Sequence, residues 1–209
     1  MAHPSRLSRD RLIVEALAML DQEGLDRFSI RRLADRLAVT PMAVYNHVQS
    51  KRDLLQAVAD AVVSDVEYPS VRGDWRRVVA TCFRTLRRAC LAHPGAVSLI
   101  ESAETLHPSI FRPMEITLAA LRGAGLSAQD TVRAYFLLTT FTLGQVGYQI
   151  RGWARGVDPR AAVREGRISR STFPAVLDAR VQAKWDFDHA FEFGLSVILA
   201  GIDTRLRKR

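Results

Sequence analysis

Four helix-start signals crowd into the first fifty residues: Ser8, Ser29, Thr40 and Ser50 each stand just ahead of an apolar run with helical spacing. Side chains of this kind accept hydrogen bonds from the N–H groups that a helix's first turn leaves unsatisfied. A chain that restarts so often folds its N-terminus as short helices around one shared core. Ser8 opens a first helix with Leu12, Ile13, Ala16, Leu17 and Leu20 on one face, and Gly24 ends it. Ser29 opens a second, Ile30–Leu37, with Ile30, Leu33, Ala34 and Leu37 inward. The turn Ala38-Val39-Thr40 follows. Thr40 caps a third helix, Pro41–Val48, in which Pro41 occupies a first-turn position where a missing N–H costs nothing, and Val44 and Val48 face inward. Ser50 with Asp53 is a Ser-x-x-Asp capping signal that starts a fourth helix through Leu54, Leu55, Val58, Ala61 and Val62. Pro69, Gly73 and Asp74 mark a break, which sets the expected domains at 1–68 and 69–209.

The second half has the same style with longer helices. One is expected over about 75–92, burying Val78, Val79, Cys82, Phe83 and Leu86, and Pro94 starts a short one. Another runs over about 109–122, stopped by Gly123 and Gly125. Ser127 with Asp130 caps a long helix over about 128–153 that is apolar around most of its circumference, so it is either buried, or buried on one side and used as an interface on another. A last helix is expected over about 186–205, and the Gly- and Arg-rich stretch 152–172 reads as a loop. No strand-like alternation competes, so the fold class is all-α. The apolar surplus of the two long helices, through Tyr135, Phe136, Leu138 and Phe141 on one and Phe187, Phe191, Leu195 and Ile198 on the other, predicts that they pair with their copies in a homodimer.

The formal net charge of +8 is not by itself an argument for a polyanionic partner, because of where it sits. Residues 1–68 hold nine Lys/Arg against ten Asp/Glu, whereas 69–149 hold nine against five and 150–185 eight against three. No run of about 18 uncharged apolar residues is present, so no membrane partner is expected, and no signal-peptide core follows the first arginines, which points to the cytoplasm. Cys82 and Cys90 are eight residues apart on one helix, about 12 Å along its axis, and read as buried thiols rather than a disulfide.

The arrangement that carries function is the second helix, tight turn and third helix. An α-helix fits the major groove of DNA, where base edges are distinguishable, and in a helix-turn-helix the second helix braces the backbone while the third enters the groove. Met42, Ala43, Tyr45, Asn46 and His47 are the expected exposed side chains of the third helix, a set suited to base edges, thymine methyls and phosphates. Lys51 stands at a helix N-terminus, where a phosphate is favoured.

The string over residues 7–58 closely resembles the N-terminal domain of the tetracycline-repressor (TetR) family. The resemblance is carried by Ala16-Leu17-x-x-Leu20, Gly24, Ser29-Ile30-Arg31-Arg32-Leu33-Ala34, Val39-x-x-x-x-Val44-Tyr45-x-His47-Val48 and Lys51-x-x-Leu54-Leu55. The second half resembles that family's C-terminal domain through Phe141-Thr142-Leu143-Gly144 and Phe191-Glu192-Phe193-Gly194-Leu195. The resemblance implies a homodimeric, ligand-responsive transcriptional regulator, a repressor released from a palindromic operator in double-stranded DNA by a small-molecule effector. It implies DNA contacts from Arg31, Thr40, Pro41, Met42, Ala43, Tyr45, Asn46, His47 and Lys51. Ala38 departs from the glycine usual in the turn. An effector pocket is expected among Phe83, Leu86, Leu99, Ser102, Leu106, Phe136, Thr139, Thr140, Leu143 and Tyr148, mainly apolar with a few hydroxyls.

The tetracycline repressor holds its drug as a magnesium chelate, using a histidine and an acid. Alignment on Gly95-Ala96 and Phe141-Thr142-Leu143-Gly144 puts Leu99 and Tyr148 at those positions. Magnesium takes oxygen ligands, and neither residue brings a charge for it. No metal or other cofactor is therefore expected. The rival reading is a helical-bundle enzyme or metal protein using Glu104-x-x-His107, but such a site needs a second Glu-x-x-His, and Asp186-x-x-His189 is a poor substitute.

Overall fold

The computed structural model describes residues 7–64, 66–68, 70, 73–101, 108–152, 159–182 and 186–207. Their regular structure is helical: α1 (Arg9–Glu23), α2 (Ile30–Arg36), α3 (Pro41–Tyr45), α4 (Lys51–Ser64), α5 (Trp75–Ala92), α6 (Val97–Glu101), α7 (Pro108–Gly123), α8 (Ala128–Ile150), α9 (Pro159–Arg164), α10 (Pro174–Gln182) and α11 (Phe187–Arg207). Short 3-10 turns cover Leu25–Arg27 and Pro94–Ala96.

The helix starts follow the expected chemistry. The Ser8, Ser29 and Thr40 side chains accept from the N–H groups of Arg11, Arg32 and Ala43, and Ser50 and Ser127 accept from those of Asp53 and Asp130. Pro41, Pro108, Pro159 and Pro174 are the first residues of α3, α7, α9 and α10, where the lost donor is harmless. The third helix and the stretch between α8 and α11 differ most from expectation. The third helix stops at Tyr45 instead of Val48, because the His47 N–H bonds back to the Val44 carbonyl at 3.0 Å, a tighter turn that redirects the chain toward α4. The stretch read as a loop contains α9, a one-turn-and-a-half helix without an apolar stripe that packs on α10.

The chain divides into two compact units, Met1–Tyr135 and Phe136–Arg209. In the first, Leu12, Ala16, Met19 and Leu20 of α1 share one core with Leu33 and Ala34 of α2, Val44 of α3, Leu54 and Val58 of α4 and Leu99 of α6. Burying each of the larger side chains contributes about 1.5–3 kcal/mol. Farther along this unit α5 packs on α7, and Cys82 and Cys90 are buried free thiols. In the second unit Leu138, Thr142 and Val146 form the buried side of α8, and Phe191, Leu195 and Ile202 that of α11. The Phe141 ring stacks on Phe191 with centroids 5.5 Å apart, in the space that a side chain at Gly194 would fill.

The turn between α2 and α3 is a Schellman motif. The Val39 N–H bonds the Ala34 carbonyl at 3.0 Å and the Ala38 N–H bonds that of Asp35 at 3.2 Å. Residue 38 must then be left-handed, and Ala38 has φ +54°, the one positive φ outside glycine among the described residues. The same bond pattern recurs after α7 and α9, where Gly125 and Gly166 take that position. The Ala38 Cβ therefore stores strain of about 1–2 kcal/mol. Ala38→Gly should raise the free energy of unfolding by roughly 0.5–1 kcal/mol once the greater freedom of the unfolded glycine is subtracted. Urea denaturation checks it, and a loss of stability would contradict the assignment of strain to this residue.

Candidate nucleic-acid interface

Helix α3 is short because everything that holds it is at its edges. Val44 is fully buried and Val48 nearly so, while Thr40, Pro41, Met42, Tyr45 and Asn46 are exposed, Met42 to 70%. Ala43 and His47, expected on the outer face, are half-buried. The exposed set is thus a ridge running from the Thr40 cap through Met42 to Tyr45 and Asn46.

The arginines around this ridge divide by their partners. Arg32 pairs with Glu23 and donates to the Arg27 carbonyl at 2.8 Å. Arg36 lies 2.7 Å from Glu15, 3.0 Å from Gln22 and 3.5 Å from Glu23. Both tie α2 to α1 and the turn after it. Arg31 is exposed and has no partner among the described residues, so it is the α2 cation left for an outside anion or base. Lys51 donates to the Phe28 carbonyl at 2.9 Å, with its ammonium 5.6 Å from the centre of the Phe28 ring. An ammonium has three donors, so two remain for a phosphate.

Arg9 was legible in the sequence only as a charge. In the structure its guanidinium reaches the His47 carbonyl at 3.2 Å and both Asp53 oxygens, at 2.8 and 3.3 Å, while Asp53 also accepts the Gln49 N–H at 2.8 Å. The two residues staple the start of α1 to the end of the recognition turn and the start of α4. The Arg9 guanidinium first, and then the Gln49 amide, hold the Asp53 carboxyl below the usual carboxylate range.

The expected effector residues fall in both units. In the first, Phe83 is buried and meets Tyr135 at a tilted 6.3 Å, Leu86 is half-buried, and Leu99 lies in the apolar core with Leu12 and Leu54. Ser102 and Leu106 lie outside the described residues, as do Glu104 and His107. In the second, Phe136 and Tyr148 are exposed, Thr139 and Leu143 are half-buried, and the Arg151 guanidinium stands 5.8 Å from the centre of the Tyr148 ring. Thr140 gives its hydroxyl hydrogen to its own helix, 2.8 Å from the Phe136 carbonyl, whereas the Thr139 and Thr142 hydroxyls are buried without a partner among the described residues. One group escaped the sequence reading. The Tyr68 hydroxyl, beside Cys82, Cys90 and Tyr135, is likewise buried and unpartnered among the described residues, and burial raises its pKa well above the ordinary value. Burial also pushes the Cys82 thiol up to about 11, which leaves it protonated and inert.

Residues 12–58 match the family model for bacterial regulatory proteins of the tetR family, and residues 68–206 match that of the tetracyclin repressor-like C-terminal domain. The chain belongs to the TetR family. It is accordingly a ligand-responsive, DNA-binding transcriptional regulator of a family that is typically dimeric. The tetracycline repressor class A of transposon 1721 from Escherichia coli is 31% identical over 96% of this chain and 93% of its own length. The Streptomyces coelicolor TetR-family protein ActR, solved in complex with actinorhodin, is 32% identical with a TM-score of 0.81 over 97% of this chain and 99% of that one. BioQ, solved with its double-stranded DNA operator, is 26% identical with a TM-score of 0.66 over 94% and 98%. No helix of the described residues is long and apolar enough to cross a membrane.

The Arg9–Asp53 staple has a pH signature. Because the folded-state pKa of Asp53 lies below its unfolded value, the staple contributes stability fully above about pH 4 and loses it as pH falls through the folded pKa. The stability difference between the protein and Asp53→Asn should therefore be constant from pH 7 to about pH 5 and shrink below about pH 4. Denaturation curves at stepped pH test this; a difference that grows with acid would contradict it.

Proposed function

We propose that this TetR-family regulator is a repressor, working in the cytoplasm as a homodimer on a palindromic operator and released by a small, mainly apolar molecule. Residues 1–68 would contact DNA, and residues 69–209 would bind the effector and the second copy. The observation that carries the DNA reading is the sorting of cations around α3. Arg32 and Arg36 are tied to α1, while Arg31 stands exposed and unpaired among the described residues. In this reading Arg31, Met42 and Ala43 approach the bases, Tyr45, His47 and Lys51 contact phosphates, and Thr40, Pro41 and Asn46 lie along the same helix and its flanks.

The dimer reading rests on the second unit. Phe191 and Leu195, expected at the interface, are core, as is Leu138. What α11 leaves exposed is Phe193, to 72%, and Val197, with Ser196, Ala200 and Gly201 alongside, small residues that let a second helix come close. On α8 the exposed stripe is Leu137, Thr140, Gly144 and Tyr148. Exposed apolar residues at helical spacing mark an interaction surface, and a two-fold dimer buries each of them twice.

An enzymatic reading has less support. The family models matched and the relatives named are those of regulators. The effector reading draws on ActR, whose solved partner actinorhodin is a small molecule. Within the first unit the polar handle would be the buried hydroxyl of Tyr68, with apolar side chains from Phe83 and Leu86. Magnesium–tetracycline does not fit. Leu99 is packed in an apolar core, and Tyr148 carries the Arg151 cation against its ring.

Two outcomes are expected on an operator selected from random DNA. Arg31→Ala should lose roughly 1–3 kcal/mol of binding and relax preference at one base pair per half-site, while Lys51→Ala should weaken all sequences alike and reduce the salt slope by about 1. Unchanged affinity and preference in Arg31→Ala would reject that contact. Tetracycline at micromolar concentration, with or without magnesium, should leave the protein–operator complex intact, and magnesium-dependent release in a mobility assay would reject the ligand reading.

A further inference from the structure

One carboxylate ties the C-terminal end of α1 to the chain that follows α5. Asp21 accepts the Gly95 N–H on Oδ1 at 2.9 Å and lies 3.0 Å from His93 Nδ1 through Oδ2. Both side chains are largely sheltered, at 24% and 38% exposure. Gly95 itself lies so close to the Leu20 carbonyl and the Asp21 amide that a methyl there would overlap them, so the contact is backbone on backbone. Directly after it, Ala96 and Val97 are buried, and Leu99 enters the core that α1, α2, α3 and α4 share.

The opposite end of α1 carries Arg9, stapled to the His47 carbonyl and to Asp53. A 15-residue helix is about 22 Å long, so α1 is a lever with the recognition turn at one end and Asp21 at the other. One flank of that lever is left open. Between α1, α4 and α5 lies an open groove of about 690 Å³, lined by Ile13, Val14, Leu17, Val62, Ala89 and His93 among others. Helix α1 has room to tilt into it, and the polar tie at Asp21 then decides where α1 stands.

We propose that Asp21 is a specificity-determining residue for operator spacing. With His93 and Gly95 it sets the position of the recognition turn relative to the segment after α5, and thereby the separation of half-sites that the dimer accepts. The proposal rests on the dimeric, inverted-repeat reading above. The physics is that of a charged acceptor: a carboxylate receiving an N–H holds it about twice as strongly as a neutral oxygen does. One added base pair shifts a half-site by about 3.4 Å and turns it by about 35°. A head held by Asp21 resists that displacement, and a loosened one follows it.

The test uses the full chain on its selected operator with the native spacer, one base pair fewer and one more. Wild type should bind the native spacing best. Asp21→Ala should lower the ratio of native to altered-spacing affinity by about fivefold or more, with Asp21→Asn, which keeps an acceptor but loses the charge, in between. His93→Gln should follow Asp21→Asn. Should Asp21→Ala melt below the assay temperature, Asp21→Asn and His93→Gln carry the measurement. A joint that serves stability alone lowers affinity for every spacing by one factor and leaves the ratio unchanged, which would overturn the proposal. A wild type that selects no inverted repeat would overturn the dimer reading and the proposal with it. A wild type with a sharp spacing optimum that all variants keep would overturn the proposal alone.

Discussion

A helix of five residues has no stability of its own in water. Helix α3 exists because Thr40 caps its first turn, Pro41 presets its first residue, and Val44 is held in a core built by α1, α2, α4 and α6. That dependence shapes the rest of the N-terminal region. The more of α3 is left outside the core, the more its anchoring must come from neighbours, and Met42, Tyr45 and Asn46 are outside. The anchoring comes from the Schellman turn at Ala38, from Val44 and Val48 below, and from Arg9 on the His47 carbonyl. The exposed ridge proposed to meet DNA is thereby held by groups that do not themselves have to touch it.

The charges follow the same logic. Residues 1–68 carry a net charge of −1, so their attraction for a polyanion is local and not global. Arg9, Arg32 and Arg36 are neutralised by Asp53, Glu23 and Glu15, and the acids that cancel the net charge act as anchors for the frame. Arg31 stays outside this pairing. A substitution that released one of the paired arginines would add charge to the surface while loosening the frame beneath it, so the two effects on DNA affinity would oppose each other.

Local chemistry was legible in the sequence, and long-range chemistry was not. Ser8, Ser29, Thr40 and Ser50 cap the helices they precede, since a cap is decided within three residues. Ala38 stood out as a non-glycine in a turn, and its φ of +54° is the physical content of that oddity. The partner of Arg9 is 44 residues away and that of Asp21 is 74 away, and no periodicity connects them. On α11 the apolar residues surround most of the helix, so spacing could not tell the core side, Phe191 and Leu195, from the open side, Phe193 and Val197. Helix α9 was hidden because a short helix without an apolar stripe resembles a loop; Pro159 was the available signal. The paired signatures Phe141 to Gly144 and Phe191 to Leu195 acquire a physical reason in the stacked rings and the space at Gly194.

The central claim is that two copies of α3, carried by one dimer, read one inverted repeat. Selection of bound fragments from a random double-stranded pool, with the mass of the recovered complex measured alongside, tests it most directly. The account predicts an enriched inverted repeat bound by two copies or a multiple of two. An enriched site without two-fold symmetry, bound by a single copy, would contradict it.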